Sequence, residues 1–229
     1  MKLSNSQKTN LTIRLLIVDD YPVVLSGLIS MFQNHAEIEV VGVATNGKKA
    51  VDLALSLRPD VVLMNMVMPE MDGVEATRQI KAAAPEINVL MFSGIGSNDK
   101  VVPSLNAGAI GYILKDASEN ELTQAIQQVA AGKIWLHQDV ISLVLKQIKD
   151  PEEKEHLINT LTERELDVLR YMALGYGNRE IAKQMTISIT TVHSHVSHIL
   201  TKLEVSSRTA AVIYAMRVGL VKDTSDEDA

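Results

Sequence analysis

The sequence predicts an α/β fold with a second, smaller all-α domain. Three observations predict it. Short, nearly unbroken aliphatic runs alternate with segments of helical length over the first 131 residues. A charged, proline-containing stretch then interrupts the pattern. Beyond it only helical periodicity remains, and the charge balance changes sign.

The aliphatic runs are Leu15–Val18, Val40–Ala44, Val61–Met64, Val89–Phe92 and Tyr112–Leu114. Such runs suit strands buried on both faces of a parallel sheet. Between and after them lie Val23–Phe32, Lys48–Leu57, Val74–Ala84, Lys100–Ala107 and Glu121–Ala131, with Gly73, Gly108, Gly111 and Gly132 as punctuation. Five βα units predict a doubly wound, five-stranded parallel sheet with helices on both faces. Trp135–Ile148 holds one short helix by its apolar spacing, and the KDPEEKE stretch reads as a linker.

The C-terminal part begins at a capping box, Thr162 with Glu165, followed by an apolar face of Leu166, Leu169 and Met172. Asn178 is expected to cap a short helix containing Ile181, Ala182 and Met185, and Thr186–Ser188 to form a tight turn. Ile189, Val192, Val196, Ile199, Leu200 and Leu203 then make a buried stripe. Ser206 or Ser207 caps a last helix. Two short helices across a tight turn match a helix-turn-helix, at about 179–198 in a domain spanning 155–220. The full division is a flexible N-terminus at 1–12, an α/β domain at 13–131, a connecting helix and linker at 132–154, the helical domain, and an acidic tail at 221–229.

Composition removes several classes. The chain has no cysteine, which excludes disulfides and thiolate metal sites and fits a reducing cytoplasm. No apolar run reaches the ~18–20 residues needed to span a bilayer, so no membrane partner is expected. The formal net charge is −6, but its distribution matters more. Residues 11–136 carry 9 basic and 14 acidic side chains, whereas 161–222 carry 8 and 5. The mildly basic half is the candidate for nucleic acid.

In an open α/β sheet ligands bind beyond the carboxyl ends of the strands. Here those ends carry Asp19-Asp20, Asn65, Ser93 and Lys115. With strand order 2-1-3-4-5 they converge. Paired carboxylates suit a hard divalent cation such as Mg²⁺, a serine hydroxyl suits a phosphoryl oxygen, and a lysine balances anionic charge.

On LLIVDD, PDVVLMNMVMPEMDG, the Ser93 strand end, GYILK, LTERELDVLRYMALGYGNREIA, ISITTVHSHVSHILTKLEV and SRTAAVIYA, the chain resembles a two-component response regulator of the NarL/FixJ type. The likeness runs from Ile13 to Val221. It implies a flavodoxin-like receiver and a LuxR-type helix-turn-helix that binds double-stranded DNA as a homodimer to control transcription, without enzymatic activity of its own. A sensor histidine kinase or another regulatory protein is the implied partner. Asp19 and Asp20 are the implied metal-binding acids, Ser93 and Tyr112 the switch positions, and Lys115 the pocket lysine. The chain departs from the pattern at the phosphoacceptor, where Asn65 replaces aspartate. A neutral amide oxygen is a poor nucleophile towards phosphorus, and losing a third carboxylate leaves Mg²⁺ binding weak. Two origins remain open at this point, a natural atypical receiver or an engineered change.

In the second domain the resemblance puts the main base contacts at His193, Ser194 and Ser197, and backbone contacts at Arg179, Thr191, His195 and Lys202. His193 stands where the family usually has lysine. The alternative is a protein-interaction module that works through its partners rather than through DNA.

Overall fold

Each strand of the sheet divides its side chains between two apolar layers, and that division sets the architecture. The computed structural model describes residues 12–94, 98–136, 140–141 and 155–220. Strands β1 (Ile13–Val18), β2 (Ile38–Ala44), β3 (Val61–Asn65), β4 (Asn88–Ser93) and β5 (Gly111–Leu114) form one sheet of order β2-β1-β3-β4-β5, parallel throughout. Leu15 and Ile17 of β1 enter one layer, with Leu25, Leu28 and Phe32 of α1 (Pro22–Phe32) and Leu122, Ile126 and Val129 of α5 (Glu119–Ala130). Leu16 and Val18 enter the other. There they meet α2 (Gly47–Leu57), α3 (Gly73–Ala83) and α4 (Asn98–Asn106) through Ala50, Ala54, Ala76, Ile80, Val102 and Leu105. Each fully buried aliphatic side chain contributes roughly 1.5–3 kcal/mol, so the central strands anchor the loops at their carboxyl ends.

Helix starts are fixed locally. Asn46, Asp72 and Ser118 accept from the N–H groups of Lys49, Glu75 and Glu121 at 2.9, 2.9 and 3.3 Å. Gly73 is required at the start of α3, since a Cβ there would lie 2.2 Å from the Asn65 carbonyl oxygen. The five expected strands of the sheet and the five helices between and after them are present, with ends shifted by at most two residues. Trp135 adds an unforeseen bridge beside β5, accepting from the Tyr112 N–H at 2.9 Å and donating to the Ile110 carbonyl at 3.1 Å. Most of the expected connecting helix and linker, the first eleven residues and the acidic tail lie outside the described residues.

A 3₁₀ turn (Glu155–Thr160) leads into α6 (Glu163–Ala173), α7 (Asn178–Met185), α8 (Ile189–Lys202) and α9 (Arg208–Arg217). Val168, Leu169, Met172, Ile181, Val192, Ile199 and Leu203 build their core. The Thr162–Glu165 capping box forms as expected, and Ser207 caps α9. Two expectations need correction. Gly177, not Asn178, is the N-cap of α7, and the Glu180 carboxylate reaches back to its N–H at 2.8 Å. Ile189 is 44 % exposed, because it begins α8 at the turn, before the helix meets the core.

The two domains touch. Thr209 donates from its hydroxyl to the Ala109 carbonyl at 3.0 Å, and Ser206 bonds Asn106 at 2.6 Å. Ala210 and Ile213 of α9 complete the layer formed by α4, rather than the core of their own domain.

Candidate functional site

The strand ends converge as the sheet order requires. Asp19 is fully buried, and Asn65, Ser93 and Tyr112 are buried around it. Lys115 donates to Asp19 Oδ2 at 2.5 Å, and its ammonium lies 5.7 and 5.6 Å from the ring centres of Tyr21 and Phe92. Asp19 Oδ1 accepts from the Tyr21 N–H at 2.9 Å, just ahead of α1. Asn65 donates from Nδ2 both to Asp20 Oδ1 at 2.8 Å and to the Val67 carbonyl at 2.9 Å. One acid therefore meets an ammonium and the other a neutral amide.

Ser93 is set at the mouth of β4, where its carbonyl receives the Lys115 N–H at 2.8 Å and its hydroxyl contacts the Gly94 carbonyl at 3.3 Å. Tyr112 is only 4 % exposed, and its hydroxyl has no hydrogen-bond partner of normal geometry. Burial pushes the phenol up from its usual value, and the nearby Ser93 hydroxyl offsets part of that. Among the described residues, no group of three or more His, Cys, Asp or Glu side chains is arranged to hold a metal.

In the second domain Ser188 caps α8, accepting from the Thr191 N–H at 3.0 Å and sharing a bond with its hydroxyl at 2.8 Å. Arg179, Thr191, His193, Ser194, Ser197 and His198 are exposed, and His195 is partly buried. The docked α/β domain leaves this face open.

Lys202, expected at a backbone contact, is engaged within its own domain. It donates to Glu165 Oε2 at 2.7 Å, and that carboxylate also accepts from the Thr162 N–H and hydroxyl at 2.8 and 2.9 Å. Burial pushes Glu165 up, but the Lys202 bond, the Thr162 bonds and the Lys202 charge outweigh it and hold the carboxyl at about 2. Sequence reasoning saw Glu165 only as half of a capping box; the lysine 37 residues on gave no local signal. Arg208 also leaves the set of bases open to phosphate, since it turns inward to Asn178 Oδ1 at 3.0 Å and the Tyr176 carbonyl at 2.5 Å.

Comparison with known proteins agrees with this geometry. Residues 15–127 match the response regulator receiver domain, and residues 159–215 match the bacterial regulatory proteins of the luxR family. The response regulator protein VraR of Staphylococcus aureus is 41% identical over 212 residues, covering 93% of this chain and all of that protein. The crystal structure of the response regulator ChrA of a heme-sensing two-component system is similar with a TM-score of 0.50 and 32% identity, covering 92% of this chain and 99% of that one. A structure of two RcsB dimers bound to two parallel DNAs gives 0.53 and 25%, covering 92% and 100%. The chain belongs to the two-component response regulators that join a receiver to a LuxR-type helix-turn-helix. That makes it a regulator of transcription with a DNA-binding domain. No helix among the described residues is long and apolar enough to cross a membrane.

Proposed function

We propose that this protein binds double-stranded DNA as a homodimer and that its receiver carries no aspartyl phosphate. The observation that supports the second point most directly is the donation of the Asn65 amide to Asp20 at 2.8 Å, beside the Lys115–Asp19 ion pair. An acceptor aspartate offers an anionic oxygen to phosphorus. Asn65 offers a neutral oxygen, and its nitrogen is committed to Asp20 and Val67. The same contacts fit a tightly held Mg²⁺ poorly, because Asp19 is neutralised by lysine and two carboxylates remain where hard cations favour several anionic oxygens. The receiver equilibrium is then biased by dimerisation, by a kinase or other regulatory protein bound without phosphotransfer, or by ligand.

For DNA, His193, Ser194 and Ser197 present short polar groups suited to base edges, and Arg179, Thr191 and His195 flank them. Lys202 acts mainly by fixing the end of α8 on α6 through Glu165. Two measurements test the reading. Intact-mass spectrometry after incubation with acetyl phosphate should show no phosphate adduct on the parent and an adduct on Asn65→Asp. Gel shifts on genomic fragments at several salt concentrations should show salt-sensitive, sequence-selective binding by the parent. An adduct on the parent defeats the first claim, and absence of selective binding favours a protein-interaction module instead.

A further inference from the structure

Three consecutive residues after α5 serve three different apolar layers. Gly132 ends α5 with a φ of 77°, its N–H on the Val129 carbonyl at 2.9 Å. The chain then runs beside β5. There the Trp135 carbonyl accepts from the Tyr112 N–H at 2.9 Å, and the Trp135 N–H donates to the Ile110 carbonyl at 3.1 Å. Side chains alternate along an extended chain. Trp135 accordingly packs into the layer of α1 and α5, within the receiver. Leu136 packs into the opposite layer, which contains Ala210 and Ile213 of α9. Ile134 packs against the core of the helical domain itself.

The backbones are equally close. A Cβ added to Gly132 would lie 2.8 Å from the Gly175 carbonyl oxygen, just past the end of α6, and the Lys133 stem lies against Gly175. Arg208 of α9 holds the same turn by donating to the Tyr176 carbonyl at 2.5 Å.

We propose that Gly132–Leu136 is a strap through which β5 holds the DNA-binding domain: Trp135 fastens it to β5, and the fastened strap presents Ile134 and Leu136 to the helical domain.

The coupling follows from the shared backbone. Ile134 and Leu136 flank Trp135, so the two hydrogen bonds and the ring that fix Trp135 also fix the direction of both neighbours. A fastened strap meets the helical domain with its backbone already ordered. A loose one must lose that freedom on docking, and ordering each residue is costly. Release of Trp135 therefore weakens a contact that Trp135 does not itself make. The dock also depends on Thr209 and Ser206, which bond Ala109 and Asn106 at 3.0 and 2.6 Å. The strap adds the one hold that runs through the hydrogen-bonded edge of β5, at the peptide of Tyr112.

The experiment uses the full chain. It has no native cysteine, so Ser56→Cys and Gln184→Cys, both at exposed positions in different domains, give two unique dye sites. Single-molecule energy transfer then gives the docked fraction. Ile134→Asp, which sets a charge against the helical core, should lower the docking constant by at least about tenfold. Trp135→Ala, whose lost ring belongs to the receiver's own layer, should lower it by about tenfold, from the ordering of one or two residues. Trp135→Phe should restore most of that loss. Docking as tight as the parent's in either Ile134→Asp or Trp135→Ala overturns the strap. Release in Trp135→Ala accompanied by loss of hydrogen-exchange protection in β1 and β3 also overturns it, since Trp135 would then act only through the stability of the receiver.

Discussion

Replacing Asn65 by aspartate tests the pocket most sharply. The Nδ2 donor lies 2.8 Å from Asp20 Oδ1 and 2.9 Å from the Val67 carbonyl, so the substitution removes two hydrogen bonds and sets two carboxylates face to face. At an effective dielectric of about 20, unit charges about 2.8 Å apart repel by about 6 kcal/mol. Lys115 offsets part of this by its charge, and the side chains relax apart. The Val67 carbonyl loses its donor, a loss of about 1 kcal/mol. The metal-free variant should be less stable than the parent by about 2–4 kcal/mol at neutral pH. Urea unfolding followed by the single Trp135, which bridges to β5, reads the receiver directly. Millimolar Mg²⁺ should restore most of the loss in the variant and shift the parent by less than about 0.5 kcal/mol, since a third carboxylate completes an oxygen site. Equal stability of the two proteins without Mg²⁺, or equal stabilisation by it, would refute the reasoning.

Three further outcomes are expected. Glu165→Gln should destabilise α6–α8 by about 1–3 kcal/mol, read as faster hydrogen exchange in peptides from 163–203; in the parent, because the carboxyl is held at about 2 against an ordinary 4.5, its stabilisation is complete above about 4.5 and is lost as pH falls towards 2. DNA affinity should rise as pH falls from about 8 to about 6, because an imidazole that meets a phosphate holds its proton more tightly; His193→Gln should reduce that dependence, and pH-independent binding would remove histidine from the phosphate contacts. Sedimentation at saturation should find two chains per DNA site, and one chain per site would end the two-fold model.

The legible parts of this molecule are those with local or periodic causes. The five strands followed from five aliphatic runs, and the sheet has the order 2-1-3-4-5 under which Asp19, Asn65, Ser93 and Lys115 were expected to converge. The capping box at Thr162 was legible because its partners are three residues apart. What the sequence hid depends on long-range packing. Lys202 and Arg208 look like free bases on helices of a basic domain, yet Glu165 claims one and the Asn178–Tyr176 segment the other. Ala210 and Ile213 have the spacing of a helix core, and nothing local states that their core belongs to the other domain.

On the proposed reading, in which the receiver carries no aspartyl phosphate, that shared layer bears on how it could still govern DNA binding. Met64, beside Asn65 at the end of β3, belongs to the same continuous apolar cluster as Tyr112, Val102 and Leu105, and so do Ala210 and Ile213 of α9. Well-packed layers deform in discrete steps rather than continuously. A rearrangement among those side chains is therefore expected to be felt at the seat of α9 as well as within the receiver. His193, Ser194 and Ser197 stay exposed in the docked form, so on that reading docking governs where the helix-turn-helix is held rather than whether its polar groups are covered. A protein or ligand that biases the α4–α9 contact would then, on that same reading, bias how the DNA-binding domain is held.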